Sequence, residues 1–160
     1  MSDIRILDYE ITGKTAWRGE DLSADDGCLK LSSECLEELD ALAGELNKNP
    51  LPLPTLRPDD FELSLCRKFM EQARRVLEEG LGFVLIDRLP MDRWSLQQAK
   101  SVYWLLCSMV DRPVAQKWDG TLIYDVWDTG KKPGNGVRPD VTNVEQNFHT
   151  DNSYNLCPPW

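Results

Sequence analysis

Two side chains, His149 and Asp151, are the pair in this 160-residue chain best suited to chemistry, and His149 is its only histidine. In an extended segment residues i and i+2 project to the same side. The stretch Asn147-Phe148-His149-Thr150-Asp151-Asn152-Ser153-Tyr154, read as a strand, turns an imidazole and a carboxylate toward one point and puts Phe148 and Thr150 on the other face. That supplies two of the three ligands of a facial set, two histidines and one carboxylate, which holds non-haem Fe(II) with its remaining positions open. Spacing alone is weak support, because acids make up 27 of 160 residues, so one falls two positions after a histidine by chance about one time in six. A strand histidine hydrogen-bonded to a neighbour is the competing reading.

The residues around the pair carry more information. Phe148-His149-Thr150-Asp151-Asn152-Ser153-Tyr154, followed by Asn155-Leu156-Cys157-Pro158-Pro159, resembles the iron-binding strand of the TauD/TfdA-like (taurine dioxygenase) family of Fe(II)/2-oxoglutarate-dependent oxygenases. Gly82-Phe83-Val84-Leu85-Ile86-Asp87-Arg88-Leu89-Pro90 is similar to an early core strand of the same family, and the order and separation of the two segments fit. The resemblance implies an α+β fold: a double-stranded β-helix core, jelly-roll-like and clavaminate synthase-like, with flanking helices. It implies His149 and Asp151 as metal ligands, Fe(II) as cofactor, 2-oxoglutarate as cosubstrate, and dioxygen as the oxidant of a C–H bond in a small-molecule substrate.

Asn147 and Thr150 flank the ligands and are candidates to touch substrate or to support the ligands from behind. Tyr124, on the preceding predicted strand, is a candidate pocket residue. Relatives handle sulfonates, aryloxyacetates, amino acids and lipids, and these residues do not choose among them. The family's second histidine, and the arginine that binds the far carboxylate of 2-oxoglutarate, lie well downstream of the His-x-Asp strand. The resemblance therefore implies that residues 1–160 are the amino-terminal part of a single oxygenase domain, with a helical portion over about 30–110 and first barrel strands over about 81–90 and 120–160. The barrel would be incomplete here and would be finished by a further carboxy-terminal segment or a second chain.

Composition narrows the partners. A formal charge of −9 argues against nucleic acid, whose phosphates require clustered Lys and Arg. No apolar run approaches the about 18 residues of a membrane helix, and Met1 to Arg5 shows no basic-then-apolar leader, so a cytoplasmic protein is expected. The five cysteines, Cys28, Cys35, Cys66, Cys107 and Cys157, contain no Cys-x-x-Cys pair and read as reduced thiols rather than a zinc site.

The elements that must position the pair follow from periodicity. Ile4, Ile6, Tyr9 and Ile11 suggest an extended opening that ends in a turn at Thr12-Gly13-Lys14. A helix is predicted from Ser33 to Lys48 on the stripe Leu36, Leu39, Ala43 and Leu46. Prolines 50, 52, 54 and 58 make the next stretch a stiff extended connector. Asp59 and Glu62 suggest a capping box for a second helix, with the stripe Phe61, Leu65, Phe69, Ala73, Val76 and Leu77, closed by Gly80. Its basic run Arg67, Lys68, Arg74 and Arg75 reads as a solvated face.

Phe83 to Ile86, apolar on both faces, predicts a buried core strand. Ser95 and Gln98 form a capping box for a third helix that reaches about Val110. Thr121 to Trp127 has strand composition, and Asp128 to Pro139, with three glycines and two prolines, reads as a loop, either a lid over a site or an ordinary hairpin connection.

Three functions compete on these residues. The first is the dioxygenase. The second is a non-catalytic truncated relative acting as a binding or interaction module, favoured by the missing distal ligand. The third, a hydrolase with Ser153 or Cys157 as nucleophile, lacks a nucleophile-elbow glycine pattern, and Asp151 at i+2 shares a face with His149 rather than orienting its far nitrogen.

Overall fold

Three helices form where apolar residues recur at helical spacing: α1 (Ser33–Lys48), α2 (Ser64–Glu79) and α3 (Leu96–Val110). They belong to a computed structural model that describes residues 8–146 and 149. By its contacts the chain divides into two compact units, residues 1–112 and 113–160. All three helices lie in the first unit and pack against one another.

The first helix has the predicted bounds for local reasons. The Ser32 hydroxyl accepts from the Cys35 amide and satisfies an otherwise orphaned first-turn donor. Lys48 stands in the last turn, where a cation complements the helix dipole, and Pro50 forbids continuation. Leu39, Leu42, Ala43 and Leu46 are buried, joined by Cys35. The third helix begins with the predicted capping box: the Ser95 hydroxyl accepts from the Gln98 amide, and the Gln98 side chain accepts from the Ser95 amide. Gln98 Nε2 also donates to the Ala43 carbonyl at 2.9 Å, which ties α3 to α1.

The second helix differs from the expectation at its start and in its buried face. Pro58–Asp60 is a separate 3-10 turn, so Asp59 does not cap α2, and the residue at the cap position, Leu63, has no side chain able to do so. The cap comes instead from α1. The Glu38 carboxylate accepts from the Leu65 amide at 3.0 and 3.1 Å, the Cys66 amide at 2.9 Å and the Ser64 hydroxyl at 3.3 Å, placing an anion on the positive end of the α2 dipole. The buried residues of α2 are Cys66, Met70 and Ala73, whereas Leu65 is 38% exposed. The stripe is thus rotated by one residue, because α2 meets two helices at once and the small Cys66 and Ala73 allow closer approach.

The proline-rich connector contains no α-helix, as expected, but it folds into the 3-10 turns Leu53–Thr55 and Pro58–Asp60 rather than staying extended. Leu56 within it is buried, and its carbonyl accepts from Trp104 Nε1 at 3.1 Å. Asp40 gathers the chain before α3, accepting from Arg93 Nη1 at 2.9 Å and Trp94 Nε1 at 2.7 Å.

The expected double-stranded β-helix core is not what the structure contains. Among the described residues the sheet consists of β1 (Cys28–Leu29) and β2 (Leu85–Ile86), paired in parallel with Cys28 opposite Leu85 and Leu29 opposite Ile86. The architecture is a helical cluster with a two-residue parallel pair, not an α+β jelly roll. A strand exists only where a neighbour completes its ladder. Phe83 to Ile86 finds only this short partner, and Leu85 is 55% exposed, so the predicted buried core strand is a short, half-covered edge.

Thr121 to Trp127, despite its β-branched and aromatic composition, forms no strand, and Val126 and Trp127 lie on the surface. The opening segment is likewise without strand over its described part, with Tyr9 and Ile11 exposed; Ile4 and Ile6 lie outside the described residues. A turn does close at Gly13, where the Ala16 amide donates to its carbonyl. Gly27 is required by both conformation and space: its φ is +70°, and a Cβ there would meet the Phe83 ring at 2.7 Å. Trp17 packs edge-on against the same ring at 5.3 Å and donates from Nε1 to the Leu81 carbonyl.

Two outcomes follow. Met70→Ala is expected to lower the unfolding free energy by about 2–5 kcal/mol, and Leu65→Ala by well under half of that, because only the former opens a cavity; chemical denaturation of both variants checks the rotated face. Glu38→Ala is expected to cost about 1 kcal/mol, the worth of a helix cap. Burial pushes the Glu38 carboxyl up, but the amides of Cys66 and Leu65 and the Cys66 and Ser64 side chains outweigh it and hold the carboxyl below its ordinary 4.5. A group depressed on folding stabilises fully above its unfolded value and loses that contribution as pH falls through the folded one. Acid denaturation should therefore begin below about pH 4.5 in the parent chain and be flatter in Glu38→Ala.

Candidate functional site

The candidate site falls in the second unit, residues 113–160, whose described residues form turns, among them the 3-10 turn Pro139–Val141. Asp119 organises its first turn: its carboxylate accepts from the Thr121 hydroxyl at 2.6 Å and the Thr121 amide at 3.0 Å, and these two bonds hold it below the usual carboxylate range. The Gln116 amide donates to the Thr121 carbonyl at 2.7 Å and closes the same turn. Tyr124 follows, half-buried, with the Lys117 ammonium 4.2 Å from its ring centroid. A cation over a tyrosine face is worth about 0.5–1 kcal/mol where solvent reaches it. It fixes the ring and sets a positive charge beside it.

The glycine-rich segment 128–139 is irregular, as predicted, and its ends are joined. Both the amide and the hydroxyl of Thr129 donate to the Val141 carbonyl, at 3.0 and 2.8 Å. Asp128 accepts from the Gly130 amide, and Arg138 pairs with Asp140 at 3.0 Å just before the short 3-10 turn Pro139–Val141. A joined base is common to both readings of this loop, the lid and the hairpin connection. Lys131 and Lys132 are exposed at its tip.

His149 is exposed. Its expected co-ligand Asp151, and the flanking candidates Asn147 and Thr150, lie outside the described residues, as do Ser153 and Cys157. The structure therefore places Tyr124 and His149 in one unit without giving the separation of imidazole and carboxylate. Among the described residues no group of three or more His, Cys, Asp or Glu side chains is arranged to hold a metal ion.

Two clusters in the first unit were not singled out by motif. One is the buried cysteine pair Cys35 and Cys66, whose sulfurs are 2.8 Å apart. Periodicity carried a partial signal: Cys35 heads the stripe Leu39, Leu42 and Leu46, and Cys66 heads Met70 and Ala73. The other is a shallow groove of about 450 Å³ lined by Lys14, Lys68, Gln72, Arg75, Val76, Glu79 and Gly80. Lys14 Nζ there donates to the Glu79 carbonyl at 3.2 Å, satisfying the end of α2. In the basic run, Arg67 pairs with Asp59 and Arg74 with Glu78 on exposed surface, as expected of a solvated face.

The donor chemistry of His149 and Asp151 yields one expectation. The 160-residue chain should bind Co(II), a stand-in for Fe(II), more weakly than a three-ligand site. Loss of the histidine should cost more than the about 10–100-fold that losing an outer partner of a ligand costs. Calorimetric titration of the parent chain and His149→Ala measures this, and tight one-to-one binding that survives the substitution would place the metal elsewhere. No family model matches the sequence, and no curated protein matches it, so the functional reading is carried by the residues themselves.

Proposed function

We propose that this chain contributes His149 and Asp151 to a non-haem Fe(II)/2-oxoglutarate-dependent dioxygenase that oxidises a C–H bond of a small molecule. The observation that carries the reading is the segment Phe148-His149-Thr150-Asp151-Asn152-Ser153-Tyr154 with Cys157-Pro158-Pro159 behind it, and its likeness to the iron strand of TauD/TfdA-like oxygenases. The residues fit the metal in part. One imidazole and one carboxylate suit Fe(II), and because His149 is the only histidine, the second imidazole of a facial set has to come from outside these 160 residues.

When bound, the metal would supply the redox chemistry that couples decarboxylation of 2-oxoglutarate by dioxygen to oxidation of the substrate. The chain's own part is narrower. Asp151 supplies negative charge to the site, and His149 supplies a neutral nitrogen donor whose orientation depends on the partner of its other nitrogen. Tyr124, its ring held under Lys117, offers an apolar face with a hydroxyl at its edge, and Asn147 and Thr150 offer short polar contacts. Such a mixture of aromatic surface and few polar groups suits a small polar molecule.

Within this reading the protein works in the cytoplasm. Among the described residues, no helix is long and apolar enough to cross a membrane, and Cys28, Cys35, Cys66 and Cys107 are free thiols. A second reading, a non-catalytic interaction module, is favoured by the same single histidine, since a chain that cannot complete the ligand set alone is free to serve another role.

Succinate release from 2-oxoglutarate in the presence of Fe(II) and ascorbate separates the two. The 160-residue chain alone is expected to show no coupled turnover. Added free imidazole, standing in for the absent ligand, is expected to raise Co(II) affinity and permit slow succinate release that His149→Ala and Asp151→Ala each abolish. If neither metal affinity nor succinate release responds to imidazole or to these substitutions, the interaction-module reading takes over.

A further inference from the structure

The cysteine pair between α1 and α2 has a geometry that the proposed oxygenase chemistry does not use. Cys35 is the third residue of α1 and Cys66 the third residue of α2, so the first turns of the two helices meet at their sulfurs. The Sγ atoms are 2.8 Å apart, within about 0.8 Å of the S–S bond length of about 2.05 Å. Cys66 Sγ also lies 3.3 Å from the Cys35 carbonyl and can donate to it. The residues are 2% and 0% exposed, and Leu39 and Met70, one turn further along each helix, are buried with them. Two thiols fixed this close across a helix pair need only a small movement to bond.

We infer that Cys35 and Cys66 form a modification site, a dithiol that hydrogen peroxide converts into a disulfide joining α1 to α2. The roles of the two sulfurs follow from their surroundings. Burial raises both thiols above the ordinary cysteine value, and the charge of the nearby Glu38 carboxylate raises both further. The Cys35 carbonyl gives the Cys66 proton an acceptor, and Cys35 is taken as the sulfur that reacts first.

The Cys35 thiolate attacks one peroxide oxygen, the O–O bond breaks, and hydroxide leaves as a sulfenic acid forms on Cys35. The Cys66 sulfur then attacks that sulfenic sulfur, the S–OH bond breaks, and the hydroxyl leaves with the Cys66 proton as water. The proton first released by Cys35 neutralises the hydroxide. In total two thiols lose two electrons, one peroxide gains them, and two waters form. Peroxide is nearly as small as water, so a brief local opening between α1 and α2 suffices for access.

Peptide mapping tests this on the 160-residue chain. The protein is reduced, exposed to a small excess of hydrogen peroxide, alkylated under denaturing conditions and digested. The expected product is a Cys35–Cys66 linked peptide as the main disulfide among the five cysteines, reversed by dithiothreitol. The melting temperature of the oxidised chain should rise by roughly 5–10 °C, because the closed loop restricts the unfolded state. The inference is overturned if both cysteines are alkylated while the exposed Cys107 is oxidised, or if either joins a different cysteine. It is equally overturned if Cys35 proceeds to the sulfinic acid with Cys66 still free, or if the linked chain melts lower than the reduced one. Combined Cys35→Ala and Cys66→Ala substitution should remove both the linked peptide and the temperature shift; should that variant fail to fold, the mapping of the parent chain still decides.

Discussion

Helices of 15 or 16 residues are marginal in water by themselves, because nucleation is costly and propagation returns little per residue. The first unit of this protein depends on each of three such helices burying a face against the other two. Leu39 of α1 and Val102 and Leu105 of α3 are fully buried, and each buried side chain of this size is worth about 1.5–3 kcal/mol. The polar contacts around this core settle its geometry rather than its existence. Glu38 fixes where α2 begins, Gln98 ties α3 to an α1 carbonyl, and Asp40 gathers Arg93 and Trp94 at the approach to α3.

Glu38 connects several of these observations. It lies one turn from Cys35 on α1 and caps the turn of α2 that carries Cys66, so one carboxylate both replaces a missing local cap and stands beside the sulfur pair. Its charge suits the helix dipole and opposes thiolate formation. The same contact that orders the helix pair therefore helps keep the pair of thiols protonated.

The second unit is built on different physics. Among its described residues none is fully buried, and order comes from short side-chain to backbone bonds, with Asp119 on Thr121, Asp128 on Gly130 and Thr129 on Val141. Trp118, Val126 and Trp127 are exposed, the first at 98%. Turn networks of this kind present side chains while leaving local conformational freedom, as binding residues require. Tyr124 under Lys117 and the exposed His149 fit that description and stand in the same unit.

Local chemistry made the three helices legible in the sequence. The start of α3 could be read from the Ser95 and Gln98 box and the ends of α1 and α2 from Pro50 and Gly80, because capping and helix-breaking act within a few residues of sequence. The candidate ligands His149 and Asp151 were legible for a similar reason, being a short motif of residue types. Partnership was not legible. Whether Phe83 to Ile86 or Thr121 to Trp127 became strands depended on a neighbouring ladder, and a strand-like composition cannot supply its own partner.

The rotation of α2 toward Cys66 and Met70, its cap from Glu38 and the meeting of Cys35 with Cys66 all join residues more than 25 positions apart. Such pairs arise from the simultaneous packing of three helices, and tertiary structure alone decided them, since periodicity gives a helix an apolar side but not the neighbour that will cover it.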